Sequence, residues 1–101
     1  MNIERQTFIV KGSNPPTVEV DSAAKAVYVR FTHAAVAKTV PQESEHSHIA
    51  IDLDKNGEII GFEAVGISRF SIAELLQMAS VEAPNLDLAR AEYSPTDCVP
   101  A

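Results

Sequence analysis

Residues 52 to 63, DLDKNGEIIGFE, hold the densest set of groups able to do chemistry. Asp52, Asp54 and Asn56 stand at the first, third and fifth places, Gly57 at the sixth, Ile59 at the eighth and Glu63 at the twelfth. That is the spacing of an EF-hand calcium loop. His46 and His48 form an H-x-H pair whose rings would share one side of a strand, and His33 could complete a zinc site. A third combination sets Asp52, Asp54 and Glu63 beside Tyr28, Arg30 and Thr32. Carboxylates, a phenol and a guanidinium on one face would suffice for general acid/base work.

Each combination depends on the elements that carry it. An EF-hand loop needs a helix entering and a helix leaving. The entering stretch, ESEHSHIAI, is poor in helix formers, and Ile49, Ile51 and Leu53 alternate as in a strand. The leaving stretch, IGFEAVG, contains Gly61 and Gly66, each costing roughly 1 kcal/mol relative to Ala in a helix interior. A β-hairpin accounts for more residues. With Asn56-Gly57 as a two-residue type I′ turn, Lys55 faces Glu58, Leu53 faces Ile60, Ile51 faces Phe62 and Ile49 faces Ala64. In that register Asp54 faces Ile59 and Glu63 faces Ala50, four rungs apart, or roughly 13 Å at 3.3 Å per residue. Calcium ligands sit within about 2.6 Å of one ion. The expectation is therefore a hairpin, with no calcium site at Asp52, Asp54 and Glu63. His33, His46 and His48 read as solvated side chains, and no H-E-x-x-H accompanies them. No G-x-S-x-G, P-loop or glycine-rich phosphate cradle is present either, so no catalytic residue, metal or cofactor is expected.

The remaining elements follow from periodicity. TVEVDSAAKAVYVRFTH reads as two strands, Val18 and Val20 in the first and Val27, Val29 and Phe31 in the second, joined by a turn near Asp21 to Lys25. VAKTVPQ gives a further strand that stops at Pro41. ESEHSH reads as a polar loop. After Gly66 the period changes: Ile72, Leu75, Leu76 and Ala79 form a helical stripe. Ser71 as N-cap, Glu74 three residues on, and Phe70 with Leu75 as a staple mark its start, and Pro84 lies beyond its end. The expected organisation is one α+β domain over 1–101. It has an antiparallel β-meander of four to five strands at about 18–67, with one face covered by a helix at about 71–80. The tail 84–101 stays open, since Leu86 and Leu88 alternate while Leu86, Ala89 and Tyr93 would line a helix.

Bulk composition narrows the classes. A chain of 101 residues can bury a core without disulfides or metal. The net charge of -6 and the scattered Lys and Arg argue against a nucleic-acid or anionic-membrane surface. Cys98, the single cysteine, excludes an intrachain disulfide. The opening residues lack a signal-peptide core and no stretch has membrane-span length, so a cytoplasmic location is expected.

A short strand ending in Asp21, then A-x-Y-V-R-F from Ala26, a strand with Thr39, and I-x-I-D-L-D-x-x-G-x-I-x-G-F-E from Ile49 together resemble the small bacterial domain-of-unknown-function family 2283. The positions carrying the resemblance are Asp21, Ala26, Tyr28, Val29, Thr39, Ile51, Asp52, Asp54, Gly57, Ile59, Gly61 and Glu63, within residues 18 to 67. The resemblance implies a small antiparallel sheet with a packed helix and no assigned activity. It also implies kinship with acidic partners of toxin-like proteins. Ile59 and Val65 fall on the otherwise polar face, beside Tyr28 and Arg30, and apolar residues there suggest a contact surface. The functional expectation is a non-enzymatic module that binds another protein or a second copy, as a homodimer. The alternatives are an antitoxin-like neutraliser of a basic toxin, and a metal-binding or hydrolytic protein using the polar face.

Overall fold

The computed structural model describes residues 6–42, 48–67 and 69–95. The chain is α+β. Six strands form the main sheet: β2 (Thr17–Asp21), β3 (Ala26–Arg30), β4 (Lys38–Gln42), β5 (His48–Leu53), β6 (Ile59–Val65) and β8 (Glu92–Pro95). Their spatial order is β4-β5-β6-β3-β2-β8. The chain thus lays β6, not β4, beside β3, and the meander is not sequential. All pairings are antiparallel except β8 on β2, which is parallel and makes the sheet mixed. A separate two-stranded parallel pair joins β1 (Phe8–Ile9) to β7 (Val81–Glu82).

Val18, Val27, Val29, Ile49, Ile51, Phe62 and Ala64 point to one side of the sheet and are buried there, as alternation requires. Helix α1 (Ile72–Ala79) lays Ile72, Leu75, Leu76 and Ala79 on that side. Each such large side chain contributes about 1.5–3 kcal/mol by leaving water. The Ser71 hydroxyl caps the helix: it accepts the Glu74 N–H at 3.2 Å and donates to the Glu74 carboxylate at 3.0 Å. The helix stops at Ser80, in the left-handed region at φ 58°, before Pro84 is reached.

Gln42, at the end of β4, is the one buried polar side chain among the described residues. Its amide nitrogen donates to the carbonyls of Gln6 at 2.7 Å and Ala79 at 2.8 Å, tying the first strand segment and the helix end to the sheet. The tail resolves into a 3₁₀ turn at Leu88–Arg90 and the edge strand β8, in place of a longer helix. The location of Cys98 and His46, and of residues 43–47 in the polar loop, falls outside the described residues. Among the described residues no helix is long and apolar enough to cross a membrane.

Candidate functional site

The hairpin β5–β6 forms, but its turn differs from the expected one. Pairing runs as anticipated from Ile49↔Ala64 to Asp52↔Gly61, then shifts so that Leu53 faces Ile59. Ile60 is the extra residue of a β-bulge, and its carbonyl accepts both the Phe31 N–H at 2.8 Å and the Thr32 N–H at 3.3 Å. The loop has three residues, Lys55 to Gly57, closed by Asp54 N–H to the Glu58 carbonyl at 2.9 Å and Gly57 N–H to the Asp54 carbonyl at 3.0 Å. Gly57 alone in this turn has positive φ, +81°. This is a type I turn with a glycine bulge, not type I′.

Two expectations change with it. Lys55 does not pair with Glu58, whose carboxylate instead meets Lys11 at 3.3 Å. Ile59 does not lie on the polar face: the bulge turns it inward, where it is buried in the core, so it offers no surface to a partner. Val65 remains on the open face, half-buried between Ala26 and His48.

The supposed calcium ligands disperse. The Asp54 carboxylate turns back on its own loop and accepts the N–H groups of Asn56 at 2.8 Å and Glu58 at 3.0 Å. Glu63 faces Ala50 and is exposed. Asp52 is fully engaged elsewhere. The two described histidines of the zinc set, His33 and His48, stand apart too. His48 sits in the Val65–Ala26 row, whereas His33 lies beyond Arg30, four rungs or roughly 13 Å along the sheet. Among the described residues no three His, Cys, Asp or Glu side chains gather around one point.

The structure assembles instead a polar network across the face left open by the helix. Asp52 on β5 accepts the Tyr28 hydroxyl at 2.7 Å and the Thr39 hydroxyl at 2.6 Å, one on each oxygen. Tyr28 reaches Asp52 from β3 across the intervening strand β6. It does so over Gly61, where a Cβ would lie 2.8 Å from the ring edge, 2.9 Å from the phenol oxygen, and closer still to the Val29 carbonyl. Space, rather than backbone conformation, calls for glycine there. The Arg30 guanidinium lies 4.9 Å from the Tyr28 ring centre, and its Nε donates to Glu19 at 3.3 Å. The connected set is Thr39, Asp52, Tyr28, Arg30 and Glu19.

Its electrostatics are those of a closed network. Burial pushes the Tyr28 phenol well above its ordinary value, and the hydrogen bond to Asp52 and that carboxylate's charge push the same way, with Arg30 opposing. A general acid or base works best with a pKa near the operating pH, and this phenol moves away from it. Asp52 has both oxygens occupied. Of the residues singled out from the sequence, Tyr28, Arg30 and Asp52 come together, while Asp54, Glu63 and Thr32 stay outside the network. Thr39, Glu19 and Gly61 were not anticipated as site residues. Thr39 and Gly61 nevertheless stand in the pattern that carries the family resemblance.

Comparison with curated proteins gave no match, and comparison with solved structures gave none. Residues 17–68, a little over half of the chain, match the family model described as "Protein of unknown function (DUF2283)". That span runs from the first residue of β2 to just past β6 and carries every member of the network. The chain belongs to the DUF2283 family.

Proposed function

We propose that the protein is a non-enzymatic, cytoplasmic binding module whose open sheet face engages a basic protein partner. One observation carries the reading. By strand alternation the open face presents Glu19, Asp21, Asp52, Glu63 and Glu92 against a single guanidinium, Arg30. That is a net of four negative charges on one side, where the whole chain carries six. Such a face steers and selects a cationic surface. The network beneath supports this, because Tyr28, Asp52 and Arg30 hold one another in place and the surface is preorganised. A second copy docking face to face would set like charges against each other, so the surface favours a different partner over a homodimer. An antitoxin-like neutraliser of a basic toxin is the sharper form of the same reading.

The test compares the wild type with Glu63→Lys and Glu92→Lys, whose carboxylates are exposed and bond no other described residue. Affinity selection with the wild type identifies a candidate, which is then purified and titrated by calorimetry. The expected result is a basic partner whose Kd rises at least tenfold in the double variant and rises again with added salt. A partner bound equally by both proteins, or one that is acidic, overturns the proposal.

A further inference from the structure

We propose that the cleft beyond the Arg30 end of the β2–β3 hairpin is a binding site for a small organic anion, an apolar body ending in a carboxylate or phosphate. The cleft has a volume of about 350 Å³, at the lower end of the roughly 300–1,000 Å³ usual for small-molecule sites. Val10, Phe31 and Leu86 supply apolar wall, while Arg30, His33 and Thr17 supply polar groups. Among the described residues no carboxylate lines it, although the chain is strongly acidic. The neighbouring depression on the open face shares Arg30 but sets Glu19, Asp21 and Glu63 around it.

Arg30 is the anchor. Its side chain is 28% exposed, yet among the described residues only its Nε–H has a hydrogen-bond partner, Glu19. The contact with the Tyr28 ring and the bond to Glu19 fix the guanidinium. Its terminal nitrogens keep their donors for a planar or tetrahedral oxyanion, which guanidinium binds in a two-point fork. The Thr17 hydroxyl can add a donor, and the His33 imidazole stands on the exposed rim. Glu19 partly offsets the positive charge, so a single anionic group with an apolar body fits better than a bare multivalent anion. The cleft shares Arg30, and through it Glu19, with the acidic face, but the anion titration does not require that face to bind a protein.

The experiment follows backbone amide shifts by NMR while phenyl phosphate, benzoate and inorganic phosphate are titrated separately into the full chain. The expected result is saturable shifts at Thr17, Phe31, Thr32 and Leu86, with an organic anion binding at least tenfold more tightly than inorganic phosphate. Leu86→Trp fills the cleft and should abolish the organic-anion shifts. His33→Glu, on an exposed rim residue that leaves the core untouched, should weaken binding at least fivefold. Saturation by inorganic phosphate with equal affinity, shifts centred elsewhere, no saturable shift by about 10 mM, or unchanged binding in His33→Glu each overturns the assignment.

Discussion

Gly61→Ala tests the network where its geometry is tightest. The added methyl would sit 2.8 Å from the Tyr28 ring edge and 2.9 Å from the phenol oxygen, against the usual carbon contact of about 3.5–4.0 Å. The Val29 carbonyl is nearer still and belongs to a paired strand, so it cannot swing aside. The ring must therefore move by roughly 0.7–1 Å, given ordinary contact distances. That displacement stretches the 2.7 Å bond to Asp52 beyond hydrogen-bond length. Overpacking costs about 1–3 kcal/mol, and losing a bond to a charged acceptor about 1.5–3 kcal/mol. The stiffer unfolded chain returns about 0.4–1 kcal/mol. The net loss is on the order of 2–4 kcal/mol, a Tm drop on the order of 15 °C for a domain of this size. Urea unfolding of wild type, Gly61→Ala, Tyr28→Ala and the double variant measures it. Removing the ring should relieve the alanine by at least about 1 kcal/mol of coupling, leaving the Val29 contact as residue. A cost below about 1 kcal/mol, or additive costs, would refute the argument that the glycine makes room for the tyrosine.

Three further outcomes are expected. In the folded state Tyr28 holds its proton above the ordinary phenol value, so the unfolded state ionises first as pH rises past about 10 and stability falls at up to about 1.4 kcal/mol per pH unit. Tyr28→Phe lacks this component, and parallel urea midpoints for the two proteins from pH 9 to 11 would contradict it. Gln42→Leu leaves the Gln6 and Ala79 carbonyls without their donor and should cost about 2–3 kcal/mol, read by urea unfolding. Its amide exchange should speed up first at Phe8 and Val10, which donate to Ser80 and Glu82; uniform acceleration would argue against a local role. Asp54→Ala removes two turn bonds and should cost about 1–2 kcal/mol, with millimolar calcium leaving the melts of wild type and variant unchanged. A calcium-dependent rise in the wild type that the variant loses would restore the calcium-loop reading.

Local signals in the sequence proved sufficient where structure is local. The Ser71 cap with Glu74, the β2–β3 hairpin, and the β5–β6 register as far as Asp52 follow from residues within a few positions of one another. The turn did not, because Asn-Gly serves equally in a type I′ turn and in a type I turn with a glycine bulge, and nothing nearby decides between them. That one-residue difference sent Ile59 inward, since each shift of register exchanges the faces of a strand. Non-local pairings were less legible still. The placement of β6 beside β3 and of β8 beside β2 joins segments more than thirty residues apart, and alternation within a strand carries no address for its neighbour. The Tyr28–Asp52–Thr39 contact depends on that order, so the candidate site emerged only with the assembled sheet. The family-like pattern held its members without the geometry that unites them.

The amide of Gln42 has a consequence for the sheet's outer boundary. β4 is an edge strand, bordered by β5 on one side only, and an edge of this kind is free to slide or to be captured by another chain. Sliding by two residues would preserve which side chains face inward while carrying the amide about 6.6 Å from its carbonyls. The wrong alignment would then leave the buried Ala79 carbonyl without its donor and free the partly buried Gln6 carbonyl. A primary amide supplies two uncharged donors on one atom, so the anchor works without burying a charge. Gln42 thereby acts as an alignment pin that lets an exposed strand keep its place, and it makes exchange of that strand between two copies a costly event.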